Sequence, residues 1–413
     1  MHLFTIVFLV LLAATVAMQL WLAQRQILHV HTRRNRVPRA FKAQVPLPAH
    51  RKAADYTVAR TRIGRVEDVF QAVLLLGWTL GGGLQLLDQG WHGLAASELL
   101  VGAGFLVSLI VIGSVLELPF DIYRTFVLEK RFGFNRTTPG LYLGDMLKKT
   151  VLTLLLVTPL ILAALWLMRG AGEFWWLTVW LLWMTFSLFM VWAYPTLIAP
   201  LFNRFKPLEN DGLRRRLQAL LTRTGFRSDG IYVVDSSRRT THGNAYFTGF
   251  GRSKRVVFFD NLLQQLADHE VEAVVAHELG HFRRRHVMKR ITMIALMSLV
   301  GLALLGWLLK QSWFYQALGM RHPSNHAALA LFMMVSPAFT FFLSPLFAYG
   351  SRRHEYEADT FAVEQSGADA LASALVKLYK ENAATLTPDP LHSAFYDSHP
   401  PAVARIAHLA GKS

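Results

Sequence analysis

The sequence predicts a predominantly α-helical, multi-pass membrane protein with a small mixed region on one side of the bilayer. Three observations lead there. Of 413 residues, 53% are hydrophobic and only 17% charged. The apolar residues gather into seven runs of about 20, each enough to cross a ~30 Å hydrocarbon core. The formal charge of +16 is concentrated in alternate connections between those runs.

The runs lie near residues 3–22, 69–87, 94–116, 150–168, 174–198, 291–309 and 328–348. The first has its basic residues after it, as an uncleaved signal anchor does, and no basic segment before it. The second is interrupted by Gly81-Gly82-Gly83, and the third ends close to Glu117. Eleven Lys and Arg fall between Gln24 and Asp68, and six between Arg124 and Lys149. The other connections are nearly bare: none from Asp88 to Gly93, Arg169 alone before Glu173, and Arg321 alone between Gln311 and His326. Positive residues stay on the cytoplasmic side. The amino terminus is therefore expected outside and the carboxy terminus in the cytoplasm.

That bias also accounts for the basic balance without nucleic acid, for which no aromatic-basic groove or nucleic-acid fold motif is present. No cysteine occurs, so disulfides and a thiol nucleophile are excluded. Four stretches follow: membrane helices one to five over 1–199, a cytoplasmic segment over 200–290, helices six and seven over 291–348, and a second cytoplasmic segment over 349–413.

The first cytoplasmic segment contains His277-Glu278-Leu279-Gly280-His281. Two histidines four apart share a helix face, so two imidazoles can hold one metal ion. Glu278 between them is placed to take a proton from a water at that ion. Asp268 is a candidate N-cap, and Val271, Val274 and Val275 give an apolar stripe. Gly280 leaves room for close packing. A catalytic zinc needs a third protein ligand. The version of such sites that continues with a Gly and a third His is excluded, because Arg284 and Val287 occupy those two positions. No Asp or Glu lies between His281 and Glu355, so a downstream carboxylate must be Glu355 or later.

Glu355 and Asp359 share a helix face four residues apart. Glu355 is the expected third ligand to a single Zn2+. Asp359 is expected to accept a hydrogen bond from a ligating histidine. Glu357 should point away into solvent, and His286 lies off the ligand face. Short strands are expected at Ile231–Asp235, Asn244–Gly249 and Arg255–Phe259, the last two joined as a hairpin through Gly251-Arg252-Ser253. An exposed strand edge beside the metal could hold an extended substrate, with Asn244 and the Ala245 backbone as contacts. Ser398-His399-Pro400-Pro401 can start a helix carrying Arg405, and His399 is a candidate donor to an oxyanion.

Five blocks of the chain, in order, resemble the type I CAAX prenyl endopeptidases, integral-membrane zinc proteases. They are Phe132-Gly133-Phe134-Asn135 with Asp145 and Lys148; His242-Gly243-Asn244-Ala245-Tyr246-Phe247; the HELGH segment; Ser351-Arg352-Arg353-His354-Glu355-Tyr356-Glu357-Ala358-Asp359; and Ser398-His399-Pro400-Pro401. The resemblance implies seven helices around a large chamber with zinc at its cytoplasmic end. It implies ligands His277, His281 and Glu355, base Glu278 and supporting Asp359. It also implies that Asn244 and Ala245 hold substrate backbone while His399 and Arg405 line the site. The substrate would be a peptide or protein, C-terminal and lipidated in the family. Gly243 departs from the pattern, since relatives often carry a side chain there, and is expected to loosen its loop. The ending Gly411-Lys412-Ser413 carries no organelle-retrieval signal. That favours a bacterial inner membrane over an endoplasmic reticulum. Two other readings compete: a heat-shock-type quality-control metalloprotease for misfolded membrane proteins, and a transporter or channel in which HELGH is accidental.

Overall fold

The structure, a computed structural model, describes residues 2–94, 97–226, 228–248 and 255–411. Long apolar helices dominate it. α1 (Leu3–Arg33) and α2 (Leu47–Trp78) pack antiparallel. At Gly82, whose φ of +79° suits only glycine without strain, the chain turns by 49° into α3 (Gly83–His92). The glycine run that interrupts the second predicted span is therefore a real break in it. α4 (Glu98–Tyr123), α5 (Pro139–Gly170) and α6 (Trp175–Ala193) follow. α4 and α6 continue beyond these bounds in π-helical turns, Arg124–Glu129 and Tyr194–Ile198, before the short α7 (Ala199–Phe202).

The segment after α7 begins with β1 (Phe205–Pro207), α8 (Asp211–Arg223) and β2 (Ile231–Val234). It continues through β3 (Ala245–Thr248), β4 (Arg255–Phe259), α9 (Asp260–Gln265) and α10 (Asp268–Arg283). The chain re-enters the apolar layer as α11 (His286–Leu308), turns through α12 (Ser312–Gln316) and returns as α13 (Asn325–Thr340) and α14 (Ser344–Ser366). Helices α15 (Ala368–Glu381), α16 (Pro390–Tyr396) and α17 (Ala402–Ala410) complete it.

Among the described residues, six helices are long and apolar enough to span a membrane, and the bent α2–α3 pair makes a seventh. Their contacts run α1 to α2, α3 to α4, α4 to α5, α5 to α6, α6 to α11, α11 to α13 and α13 back to α1. The ring closes. Only 11% of the most apolar windows of α5, α6 and α11 is buried, so these helices present most of their apolar surface outside the packed core. One end of the ring is sealed by a core that includes Phe8, Leu84, Phe105, Phe314, Tyr315 and Leu331. At the other end lies a second core around α8, β4, α10 and α15, with Leu217, Leu220, Phe258, Leu262 and Leu371 at its centre. The basic connection after α1 folds under this core, where Phe41 and Val45 pack against Val376, Leu386 and Ala402.

The sheet has the order β1-β2-β4-β3. β3 and β4 are antiparallel, as a hairpin requires, but the proposed turn at Gly251–Ser253 lies outside the described residues. β2 and β4 run parallel and β1 joins β2 antiparallel, so the sheet is mixed and not a plain hairpin or meander. The Val256-Val257-Phe258 run is buried on both faces and takes the interior position such a run prefers. β3 is left at the edge.

Candidate active site

Three elements build the site. α10 presents His277 and His281, α14 presents Glu355 and Asp359, and the stretch into α17 brings His399 and Arg405. α10 starts from Ala267, not Asp268. The Glu270 carboxylate reaches back to the Ala267 N–H at 2.7 Å, and also accepts from Ser373 at 2.6 Å and Lys377 at 2.7 Å. Val271, Val274 and Val275 are buried as the apolar stripe requires. Glu272 is held by Arg216 and by Arg223 at 2.9 Å.

α10 and α14 then pack through Gly280. A Cβ on Gly280 would lie 2.8 Å from the Cα of Ala358 and 3.0 Å from its carbonyl oxygen. This close approach brings the two ligand-bearing faces together. His277 Nε2 and His281 Nε2 are 3.2 Å apart. Glu355 Oε1 is 3.3 Å from His281 Nε2, and Oε2 is 3.5 Å from His277 Nε2. Glu355 Oε2 is buried and has no hydrogen bond, although His399 Nδ1 lies 2.7 Å from it. The three side chains bring their ligand atoms within 3.5 Å of one another. Zinc–nitrogen bonds of ~2.0–2.1 Å in a tetrahedron imply donor separations of about 3.3–3.4 Å. The observed spacings match, so the residues fit the metal.

Asp359 is fully buried and lies 2.8 Å from His277 Nδ1. A carboxylate only accepts, so Nδ1 carries the hydrogen and Nε2 keeps its lone pair toward the cluster. Arg405 is placed differently from its expected role. Its guanidinium donates to both Asp359 oxygens at 2.7 and 2.6 Å. Nη2 is also 3.1 and 3.2 Å from the two ring nitrogens of His277, so it rests on the ring. A side chain only 5% exposed and bound on two sides does not line a substrate groove. Arg405 holds Asp359 and His277 in place. Burial opposes the charges here, but Asp359 outweighs it and keeps the Arg405 pKa above its usual value. For His277, burial and Arg405 push down, and Asp359 and Glu355 push up harder.

Glu278 is half-buried, and among the described residues it has no ion-pair partner. His399 is exposed except where it meets Glu355. Asn244 is exposed on the β3 edge and its side-chain oxygen accepts from the Ala245 N–H at 2.8 Å. The expected substrate contacts are thus closed on each other. Gly243 is not loose: Asn382 accepts from its N–H at 3.0 Å and donates to its carbonyl at 3.2 Å. A Cβ there would also come within 2.6 Å of Gln265 Oε1.

Several contributors were not assigned from sequence. Arg239 forms a bidentate pair with Asp145 at 2.8 and 3.1 Å and binds the Phe202 carbonyl at 2.7 Å. Its own carbonyl accepts from Arg136 N–H, and the Phe134 carbonyl accepts from Thr241 N–H. The Phe132–Asn135 block therefore docks the segment Arg239–Thr241, ahead of β3, onto the membrane helices. Lys148 secures the same corner through the Leu201 carbonyl at 2.9 Å. Arg352 donates to the Ser393 and Asp397 carbonyls at 3.1 and 2.9 Å and fixes the approach to His399. Glu357 was expected in solvent but pairs with His286 at 3.0 Å.

Comparison with known proteins identifies the family. Residues 26–204 match the family model described as CAAX prenyl protease N-terminal, five membrane helices, and residues 207–413 match Peptidase family M48. The chain is 36% identical to "CAAX prenyl protease 1 homolog" of Arabidopsis thaliana over 76% of this chain and 75% of that one. It is 32% identical to "CAAX prenyl protease 1" of Saccharomyces cerevisiae, covering 74% and 71%. The solved structure of S. mikatae Ste24p superimposes with a TM-score of 0.89 over 99% of both chains, at 26% identity. Neither the quality-control nor the transporter reading is favoured by these matches. The chain belongs to peptidase family M48 and, with its CAAX prenyl protease N-terminal region, is an integral-membrane metalloendopeptidase.

Proposed function

We propose that this chain holds one Zn2+ through His277, His281 and Glu355 and cleaves peptide substrates at the cytoplasmic end of its chamber. The observation that carries this is the convergence of the three donors at 3.2, 3.3 and 3.5 Å from two separate helices. Zinc bound there would lower the pKa of a water toward ~7 and polarise the scissile carbonyl.

The chain's own groups supply the rest. Glu278 takes the proton of the attacking water and passes it to the leaving amine, so the proton count closes within one turnover. His399 donates to the oxyanion that forms as the carbonyl carbon becomes tetrahedral. Asp359 and Arg405 keep His277 in the tautomer that points Nε2 at the cluster. The β3 edge receives extended substrate backbone, with Asn244 and Ala245 exchanging their local hydrogen bond for bonds to the peptide.

The names of the relatives point to a prenylated C-terminal peptide as substrate, and a chamber ringed by apolar helices suits a lipid tail. The charge bias supports a reading with the amino terminus outside and the site in the cytoplasm. A bacterial inner membrane and an endoplasmic reticulum obey the same bias, and the organisms of the matching relatives are eukaryotic. Three measurements test the reading: zinc content of the purified protein, cleavage of prenylated against unprenylated CAAX peptides, and the effect of chelator. One zinc per chain and chelator-sensitive cleavage favouring the prenylated peptide are expected. Zinc-free protein that cleaves normally overturns the metal assignment. Equal cleavage of both peptides overturns the lipid preference.

A further inference from the structure

His281 has no carboxylate of its own, unlike His277, yet its outward nitrogen is not idle. The chain reverses after α10 through Arg285, a non-glycine residue in the left-handed region at φ +56°. That reversal swings His286, at the start of α11, back beneath His281. His286 is 5% exposed. Its Nδ1 lies 3.0 Å from His281 Nδ1 and its Nε2 lies 3.0 Å from Glu357 Oε2. His354 stacks on its ring at a centroid distance of 4.0 Å and 15°. Glu357 in turn is flanked by Arg353 at 3.3 Å and Lys289 at 3.9 Å.

We propose that His286 and Glu357 form a relay that fixes the tautomer and orientation of His281 for metal binding, a role that rests on the ligand set proposed above. The hydrogen positions follow from the far end of the chain. Glu357, flanked by two cations, is an ionised carboxylate that only accepts, so His286 Nε2 carries a hydrogen. Neutral His286 then accepts at Nδ1, so His281 must donate there. His281 Nε2 is left with a lone pair, directed at His277 and Glu355. The same result is reached for His277 in one step through Asp359. The two ligands are therefore oriented by different devices: a buried carboxylate behind one, and a second imidazole backed by a half-exposed carboxylate behind the other. Both ring nitrogens of His286 are engaged, so His286 is not itself a ligand. His286 and Glu357 are positioning residues that act through His281.

Full-length protein in detergent tests this by chelator competition for zinc. His286→Phe keeps a planar ring but breaks the relay, and should weaken zinc binding about 10- to 100-fold. His286→Gln, which can both accept from His281 and donate to Glu357, should recover most of that loss. The unfolding temperature of the metal-free protein should change little, which separates orientation from a general packing defect. His277→Ala is the control for the ligand set. If wild type binds no zinc, or His277→Ala binds as wild type does, the ligand reading fails and the relay with it. If His277→Ala weakens binding but His286→Phe stays within twofold of wild type, only the relay is overturned. Should His286→Phe fail to fold, Glu357→Ala at its part-exposed position substitutes. A several-fold drop supports the relay and an unchanged affinity overturns it.

Discussion

Gly280→Ala places one methyl group at the contact between the two helices that carry the metal ligands. The added Cβ would sit 2.8 Å from Ala358 Cα, 3.0 Å from its carbonyl oxygen and 3.2 Å from its Cβ. Carbon atoms pack comfortably at about 3.5–4.0 Å, so α10 and α14 must part by roughly 0.7 Å or more at this point. The nearest atoms are backbone, and no rotamer change relieves them. His281 is the next residue along the chain and His277 lies on the preceding turn. The gaps of 3.3 and 3.5 Å to Glu355 cross this same interface and would open toward about 4 Å. Donors that far apart cannot all reach one ion at ~2.1 Å. Two effects oppose each other in stability: overpacking costs about 1–3 kcal/mol, while alanine gains about 1 kcal/mol of helix propensity over glycine. Net stability should therefore fall by about 2 kcal/mol at most, while zinc affinity falls at least tenfold. The assay is chelator competition alongside thermal unfolding of the metal-free protein. Ala358→Gly in the same chain removes only the farthest of the three contacts and should not rescue binding. Wild-type zinc affinity in Gly280→Ala, or full rescue by Ala358→Gly, would refute the reasoning.

Three more outcomes are expected. Glu278→Gln should keep its zinc and lose activity by about 10²-fold or more, because the amide cannot take a proton; normal turnover sinks the base assignment. Glu270 is buried, yet Lys377 and Ser373 hold its carboxyl below the usual range. A depressed folded pKa stabilises above the unfolded value of ~4.3 and is lost as pH falls through the folded pKa. The unfolding-temperature gap between wild type and Glu270→Gln should thus hold from pH 7 to about 5 and shrink below ~4.3; a gap unchanged at still lower pH contradicts the pairing. Asn382→Ala frees both sides of Gly243 and should raise KM several-fold with zinc content unchanged; loss of zinc instead would place Asn382 in metal binding.

The membrane architecture was legible because lipid demands long apolar runs, and nothing else in the sequence produces them. The break at Gly81-Gly82-Gly83 was visible for the same reason, as glycines interrupting a span. The carboxylate that the structure brings beside His277 and His281 was legible through an absence: the carboxylate-free stretch after His281 pointed to Glu355. What escaped depends on tertiary pairing. The parallel register of β2 on β4 and the strand Phe205–Pro207 carry no local periodicity. Glu357 was assigned to solvent by helix phase alone, and helix phase does not show that the turn at Arg285 delivers His286 to it. Arg405 was given to the substrate on the family resemblance alone. Only the coordinates show its guanidinium spent on Asp359 and the His277 ring.

That placement of Arg405 has a consequence for how the site is held. α10 and α14 are separated along the chain by the apolar helices α11 and α13, and no local contact in sequence brings them together. Their approach depends on α11 and α13 packing as neighbouring staves, on Gly280 admitting Ala358, and on Arg405 bridging from a third helix. The bridge reaches Asp359 and Glu355 on α14, with Nη1 3.6 Å from Glu355 Oε2, and His277 on α10. A buried guanidinium is stable only while its carboxylates are present, and the carboxylates only while it is. α17 is therefore a clasp across the metal helices. Arg405→Lys keeps a positive charge but loses the two-pronged bond to Asp359 and the plane against His277. If Arg405 served the substrate, that change would act on KM. A clasp instead requires that zinc affinity and kcat fall with KM little altered, and the three quantities measured on one preparation decide between the two.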